Sequence, residues 1–225
     1  MNNVIATQNL LEECKKQSNL EKIIFLSTDE VYGESSLSLP IGHKEDATLN
    51  PTNPYAASKA AAECLMNAYR ISYKLPIIIT RSNNVYGPGQ YPEKIIPKFI
   101  KNILNGDKWY IILRFLTVIF TRSYIFVNDL IDALQLIMEK GDSFIYNIGT
   151  NFEISNKELA LALLSHFHLS DDHLEYTCDR VYNDCRYLLD YQKITILGWK
   201  FKITFEQGLT ETIEWYKHNL NKWWR

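Results

Sequence analysis

Two short apolar runs that each end in polar residues constrain the fold more than any other feature of this sequence. Residues 23–26 lead into the polar run 27–30, and residues 77–80 lead into the polar run 81–84. Short apolar strands without alternation are typical of a parallel sheet that is covered on both faces. Ligands of open α/β sheets bind beyond the carboxyl ends of the strands. The pattern therefore predicts an α/β fold with both polar runs at one edge of the sheet.

Helices are predicted where apolar residues recur at helical spacing around these strands. One helix opens at Pro54, a residue suited to the first helical turn, and continues through an alanine-rich stretch. The predicted helices cover residues 3–16, 54–73, 95–104, 127–140, 156–166 and 205–218.

Tyr55 and Lys59 are four residues apart at the start of the alanine-rich helix, so they share one of its faces. A nearby ammonium group favours the phenolate form of tyrosine. Lowering the tyrosine pKa from about 10 by ~3 pH units requires roughly 4 kcal/mol of differential stabilisation. Such a pair can act as a base near neutral pH. An isolated pair of this kind is more often an exposed tyrosine and a surface lysine, so it does not identify a site alone.

Composition and charge exclude several classes of partner. The 225 residues carry a formal net charge of −2 without a basic cluster, which predicts no nucleic-acid partner. The longest apolar stretch, residues 109–120, is shorter than the ~20 residues of a membrane helix, so we expect no membrane span. The four cysteines lack paired ligand spacing, and we expect reduced thiols in a cytoplasmic protein. The neighbouring histidines show no metal-binding pattern either, so no metal site is expected: His166, His168 and His173.

Three motifs together resemble the nucleotide-sugar 4,6-dehydratases. They are Ser-Thr-Asp-Glu-Val-Tyr-Gly at 27–33, Pro-Thr-Asn-Pro-Tyr-Ala-Ala-Ser-Lys-Ala-Ala-Ala-Glu at 51–63, and Thr-Arg-Ser-Asn-Asn-Val-Tyr-Gly-Pro-Gly-Gln-Tyr-Pro-Glu-Lys at 80–94. The similarity is greatest to the dTDP-glucose 4,6-dehydratase family of extended short-chain dehydrogenases. It implies a partial Rossmann-like domain, a doubly wound parallel sheet, at residues 1–108. A smaller α/β carboxyl-terminal part at 109–225 would mainly bind the sugar nucleotide, with some segments returning to the first domain.

The resemblance implies NAD as the cofactor, although the sequence has no glycine before Gly33. Family members open with a strand, a glycine-rich turn and a helix that hold the NAD pyrophosphate. Neither that turn nor the acidic residue for the ribose is present. We therefore expect a chain that starts partway through its dinucleotide-binding domain. A catalytically inactive fragment that acts as a binding or interaction module is an alternative.

The family pattern breaks between residues 109 and 120. Relatives carry a glycine-containing hairpin turn there, whereas this sequence has a run of aromatic and β-branched residues. A real insertion and a shifted reading frame both explain the break, and the sequence does not separate them.

The resemblance also implies roles for individual residues. The catalytic set is Thr28, Asp29, Glu30, Tyr55 and Lys59. Cofactor-binding residues are Tyr55, Lys59, Ser27 and Ser82. Substrate-binding residues are Asn84, Lys94, Arg122, Arg180 and Asn183.

In the implied mechanism, Tyr55 removes the proton of the sugar 4-hydroxyl while hydride moves to NAD. Glu30 then takes the proton at carbon 5, and Asp29 protonates the leaving 6-hydroxyl. The substrate would be dTDP-glucose or UDP-glucose, and the complete protein would be a homodimer. A sugar-nucleotide epimerase or decarboxylase is a further alternative, against which the Asp29-Glu30 pair argues.

Overall fold

The computed structural model describes residues 2–38, 40–107, 109–112, 120–177 and 184–223. Its α-helices are α1 (Ile5–Cys14), α2 (Pro54–Tyr73), α3 (Ile95–Asn105), α4 (Val127–Lys140), α5 (Asn156–His166), α6 (Gln192–Leu197) and α7 (Phe205–Trp223). Its strands are β1 (Ile23–Thr28), β2 (Ile77–Ser82), β3 (Asn84–Tyr86), β4 (Trp109–Ile112), β5 (Thr121–Phe126), β6 (Ile145–Ile148), β7 (Glu153–Ser155) and β8 (Leu174–Thr177). Short 3₁₀ turns span Asp29–Tyr32 and Asp171–His173.

The central sheet is parallel and has the strand order β1-β2-β6. Ser27 lies opposite Arg81, and Thr28 lies opposite Ser82, at the carboxyl ends of β1 and β2. The prediction that both polar runs meet at one edge of a parallel sheet is therefore confirmed.

Helices cover both faces of this sheet, as the unalternating apolar strands predict. On one face, Leu11 of α1 and Met66 of α2 pack against Ile77 and Ile79. On the other face, Ile78 packs among apolar side chains of α4 and α6. Alternate residues of β2 thus pack against opposite layers, which explains why residues 77–79 are all apolar.

A second sheet, β3-β5-β7, packs under α3, α5 and α7. Its core is aromatic, with the ring of Tyr86 between Tyr124, Phe126 and Phe205. A third pairing joins β4 and β8 in parallel. Strand β6 returns from this half of the chain to the first sheet, and the division near residue 108 stays a prediction.

A glycine closes the turn that follows β1. Gly33 ends the 3₁₀ turn after β1 with φ 80°, and a Cβ there would lie 2.3 Å from the carbonyl oxygen of Asn50. Only glycine fits that turn without strain.

Residues 113–119, which hold most of the break in the family pattern, lie outside the described residues. Within the described ranges, no helix is both long and apolar enough to cross a membrane.

Candidate active site

The carboxyl ends of β1 and β2 border a cavity of about 1180 Å³. Nine of the predicted site residues line it: Ser27, Thr28, Glu30, Tyr55, Lys59, Ser82, Asn84, Lys94 and Arg122. Asp29 is 4% exposed and is not part of the lining. Arg180 and Asn183 lie outside the described residues. The fold therefore gathers residues from distant parts of the sequence around one cavity, while their individual roles stay predictions.

Asp29 lies behind the cavity wall and is bound through both carboxyl oxygens. The Asn83 amide nitrogen Nδ2 donates to its Oδ2 at 2.9 Å, and the Thr28 hydroxyl Oγ1 lies 3.2 Å from its Oδ1. Burial raises the pKa of Asp29 to about 7, and the negative charge of Glu30 adds to the rise. The hydrogen bonds from Asn83 and Thr28 and the charge of Arg122 oppose it. A carboxyl group with this pKa can hold and release a proton near neutral pH.

Glu30 follows Asp29 in sequence but lies in a different environment. Its side chain lines the cavity and is partly exposed. Asn53 Nδ2 donates to Glu30 Oε2 at 2.9 Å, and Asn53 Oδ1 accepts from the backbone N–H of Ala56 at 2.9 Å. Asn53 is thus the N-cap of α2 and holds the Glu30 carboxylate at the same time. Two neighbouring carboxyl groups in unlike environments can divide acid and base duties.

The expected lowering of the Tyr55 pKa by Lys59 is not seen in this structure. Burial raises the pKa of Tyr55, and the negative charges of Glu30 and Asp29 raise it further. Lys59 Nζ instead donates to the carbonyl oxygen of Leu26 at 2.7 Å and lies 4.8 Å from the ring centroid of Phe25. Helical spacing places Tyr55 and Lys59 near each other, but the ammonium group is bound to β1. The lysine therefore does not lower the tyrosine pKa in this arrangement.

Ser27 offers a polar atom that fits a ligand. Its hydroxyl oxygen is buried, borders the cavity and makes no hydrogen bond within the described part of the chain. Burying a hydroxyl without a partner costs free energy, which a bound polar group would recover. Tyr55 and Lys59 line the same cavity and add a phenol and an ammonium group. These donors fit the ribose and carboxamide groups of NAD.

Arg122 of β5 also lines the cavity. Its guanidinium donates to the carbonyl oxygens of Thr121, Asp184 and Cys185, and it lies 4.8 Å from the ring centroid of Tyr187. This places the predicted substrate-binding arginine at the cavity. The Asp184 carboxylate, which is 1% exposed, accepts from the hydroxyls of Tyr187 and Thr52. Asp184 is therefore hydrogen-bonded to the segment that precedes α2.

A buried ion pair joins α2 to β2. Arg81 donates through Nε and a terminal nitrogen to the Glu63 carboxylate, with a shortest distance of 2.6 Å. Both side chains are less than 5% exposed. Arg81 also donates to the Tyr32 hydroxyl at 2.6 Å. Because Glu63 lies one turn after Lys59, this pair fixes the helix that carries Tyr55 to the end of β2.

The sequence did not predict the contacts that four side chains make at this site: Asn53, Asn83, Asp184 and Tyr187. Asn53 could have been recognised as an N-cap from the Asn-Pro pair at the start of the helix. Asn83 lies in the polar run after β2, but no sequence signal shows which of two adjacent asparagines meets Asp29. No cluster of three or more His, Cys, Asp or Glu side chains in the described ranges could hold a metal ion.

Comparisons with known proteins identify the family. The family model described as GDP-mannose 4,6 dehydratase matches residues 1–212. A dTDP-D-glucose 4,6-dehydratase of Dictyostelium discoideum is 41% identical, and the match covers 99% of this chain and 60% of the relative. A trifunctional UDP-glucose 4,6-dehydratase, 3,5-epimerase and reductase of Arabidopsis thaliana is 44% identical, covering 99% of this chain and 33% of the relative.

A solved structure gives the same result. The dTDP-glucose 4,6-dehydratase of Bacillus anthracis in complex with NAD has a TM-score of 0.89 and 38% identity. The match covers 98% of this chain and 69% of that chain. The Rossmann-like α/β fold is thereby confirmed. The chain spans about 60% of the Dictyostelium relative, so the activity of the whole relative does not transfer directly. The family match over residues 1–212 nevertheless shows that this chain belongs to the GDP-mannose 4,6 dehydratase family, that is, to the nucleotide-sugar 4,6-dehydratases.

Proposed function

We propose that this chain carries the catalytic apparatus of a 4,6-dehydratase that converts dTDP-glucose or UDP-glucose to the 4-keto-6-deoxy sugar nucleotide. The observation that carries the proposal is the pair of unlike carboxyl groups beside Tyr55. Glu30 borders the cavity, whereas Asp29 is buried and has a pKa raised to about 7. An elimination of water needs one group that takes a proton and another that gives one, and this pair can supply both.

Tyr55 begins the reaction by taking the proton of the sugar 4-hydroxyl, and Thr28 shares a hydrogen bond to the same oxygen. NAD, when bound, would accept hydride from carbon 4 and return it to carbon 6. Ser27, Ser82, Tyr55 and Lys59 would hold it. The residues of this chain orient the reacting groups and adjust their pKa values.

Glu30 and Asp29 perform the elimination. The 4-keto group makes the proton at carbon 5 acidic, and the Glu30 carboxylate removes it. Asp29 gives its proton to the 6-hydroxyl oxygen, which leaves as water. Glu30 returns its proton to carbon 5 when carbon 6 is reduced. The hydrogen bond from Asn53 keeps Glu30 beside the cavity for this step.

The remaining proposals concern binding and assembly. Asn84, Lys94 and Arg122 would contact the sugar nucleotide, together with Arg180 and Asn183. An arginine suits a diphosphate because its planar fork donates two hydrogen bonds at once. We also propose a homodimer, which the exposed apolar side chains of α1 and α2 support: Ile5 at 48%, Leu10 at 54% and Ile71 at 53% exposure. The division near residue 108 and a cytoplasmic location belong to the same proposal.

The first experiment titrates the purified chain with NAD and measures its melting temperature at each concentration. A ligand at 100 times its Kd adds roughly 2.7 kcal/mol to the free energy of unfolding. A rise in melting temperature supports the proposal, and turnover of dTDP-glucose and UDP-glucose is then measured. Tyr55→Phe should abolish the hydride step, and Glu30→Gln should accumulate oxidised sugar with NADH. No shift at millimolar NAD and no turnover would instead indicate an inactive binding module.

A further inference from the structure

Asn83 connects the buried Asp29 to the loop that follows β6. Its Nδ2 donates to Asp29 Oδ2 at 2.9 Å, and its Oδ1 accepts from the backbone N–H of Thr150 at 3.1 Å. The side chain is 2% exposed. Thr150 is held in turn, because its hydroxyl donates to the carbonyl oxygen of Tyr124 at 3.0 Å.

The backbone fixes which end of the Asn83 amide faces Asp29. The N–H of Thr150 can only donate, so the amide oxygen of Asn83 must face it. The amide nitrogen must then face Asp29 and donate to it, since the opposite flip would bring two donors together at Thr150. Within the described part of the chain, this is the only hydrogen bond to Asp29 Oδ2.

We propose that Asn83 is a positioning residue that holds Asp29 Oδ2 as a hydrogen-bond acceptor and so assigns the transferable proton to Oδ1. A proton on Oδ2 of Asp29 that pointed toward Asn83 would meet the N–H of the amide, because Oδ2 accepts from that group. Oδ1 lies 3.2 Å from Oγ1 of Thr28, a residue that borders the cavity. The Thr28 hydroxyl donates to Oδ1 of the carboxylate, and because a hydroxyl can rotate it accepts from Oδ1 when that oxygen carries the proton, which the amide NH₂ group of Asn83 cannot do. The proton thus lies on the Thr28 side of Asp29. This inference rests on the proposed function, which gives Asp29 a proton to transfer.

Other charged and titratable groups face Asp29 and act on its titration without selecting an oxygen. Glu30, on the same turn, raises the pKa of Asp29, and Arg122 of β5 lowers it. Tyr55 of α2 also interacts with it, since the charge of Asp29 raises the pKa of the phenol. The hydrogen bond from Asn83 lowers the pKa of Asp29, because it stabilises the carboxylate. Asn83 therefore offsets part of the effect of burial.

The test follows the side-chain carboxyl of Asp29 by carbon-13 NMR as a function of pH, with Asp29→Asn assigning the signal. Asn83→Leu keeps the volume and removes the donor. A hydrogen bond to a charged group contributes ~1.5–3 kcal/mol, so the titration midpoint should rise by about one to two pH units. Thr150→Val is the matched control. It removes a buried hydroxyl bond from the same loop but keeps the N–H that orients Asn83, so the midpoint should stay in place.

Asn83→Asp provides a second test if Asn83→Leu does not fold. It keeps an acceptor for Thr150 and places two carboxyl groups together, so the pair should titrate in two steps, the upper one above the midpoint of the unchanged chain. An unchanged Asp29 titration in a folded Asn83 variant would overturn the inference, even if the chain dehydrates sugar nucleotides. The expected rise in a chain without dehydratase activity would support the positioning role and remove the proposed function.

Discussion

Asn53 donates to Glu30 Oε2 at 2.9 Å while its own amide oxygen caps α2. One side chain therefore joins the proposed base to the helix that carries Tyr55. The two contacts use different ends of the amide, so substitutions can separate them. The N-cap needs an acceptor, whereas Glu30 needs a donor.

Asn53→Asp should keep the cap but lose the donor, and it places a second carboxylate against Glu30. We expect turnover to fall by at least about tenfold, which corresponds to 1.4 kcal/mol in the barrier. Asn53→Ala should also lose the cap and lower the free energy of unfolding by about 1 kcal/mol. Ser155→Ala is the matched control, because Ser155 caps α5 and makes no contact with Glu30. Equal turnover in Asn53→Asp and the unchanged chain would contradict the link to the base.

Asp29 should make the stability of the protein depend on pH. Its pKa is about 7 in the folded chain and near 3.8 in the unfolded chain, so the folded state binds the extra proton. This contribution is fully present below about pH 4 and is lost as the pH rises to about 7. The slope approaches roughly 1.4 kcal/mol per pH unit within that window.

Urea unfolding between pH 4 and pH 8 measures the effect of Asp29, and Asp29→Asn is the reference because it cannot titrate. The unfolding free energy of the unchanged chain should fall relative to that of Asp29→Asn as the pH rises from 4, and the difference should level off above about pH 7. A difference that does not vary with pH would show that Asp29 is ionised in the folded protein throughout this range.

The Glu63–Arg81 ion pair should be costly to break from one side. Both side chains are buried, so Glu63→Ala leaves an uncompensated guanidinium and should cost about 3–5 kcal/mol. The double variant Glu63→Leu with Arg81→Met should lose less than the two single variants together, since it leaves no buried charge. Glu13→Ala provides the control, because its pair with Lys16 is exposed. Urea unfolding of Glu63→Ala, Glu63→Leu, Arg81→Met, the double variant and Glu13→Ala tests this, and additive losses in the double variant would contradict it.

Local signals explain how much of the fold could be predicted from the sequence. Helix α5 covers residues 156–166 as predicted, and Ser155 and Glu158 form a capping box that fixes its start. Helix α2 begins at Pro54, after its N-cap, and ends at Tyr73 as predicted. The helix predicted over residues 205–218 extends further, to Trp223, because nothing local stops it after His218.

The site was predictable only as far as strand ends determine it. The polar runs after β1 and β2 identified the correct edge because parallel strands end together. Contacts between side chains depend on register and on loops from distant parts of the chain. Thr150, which orients Asn83, lies after β6, and only tertiary packing brings the two residues together. The hydrogen bond from Lys59 to Leu26 likewise depends on how α2 lies against β1. The sequence spacing of Tyr55 and Lys59 predicts neither of these contacts.

Tyr55 should titrate above the ordinary tyrosine value of about 10 in the chain without cofactor, because burial and the charges of Glu30 and Asp29 raise its pKa. Near-ultraviolet absorbance of the unchanged chain minus that of Tyr55→Phe isolates this phenol, and circular dichroism verifies that both remain folded. Glu30→Gln should move the midpoint down, since it removes a negative charge. Lys59→Met should leave it in place, because the ammonium group is bound to Leu26. A rise in the midpoint on Lys59→Met would contradict this, because it would show that Lys59 stabilises the Tyr55 phenolate before any ligand binds.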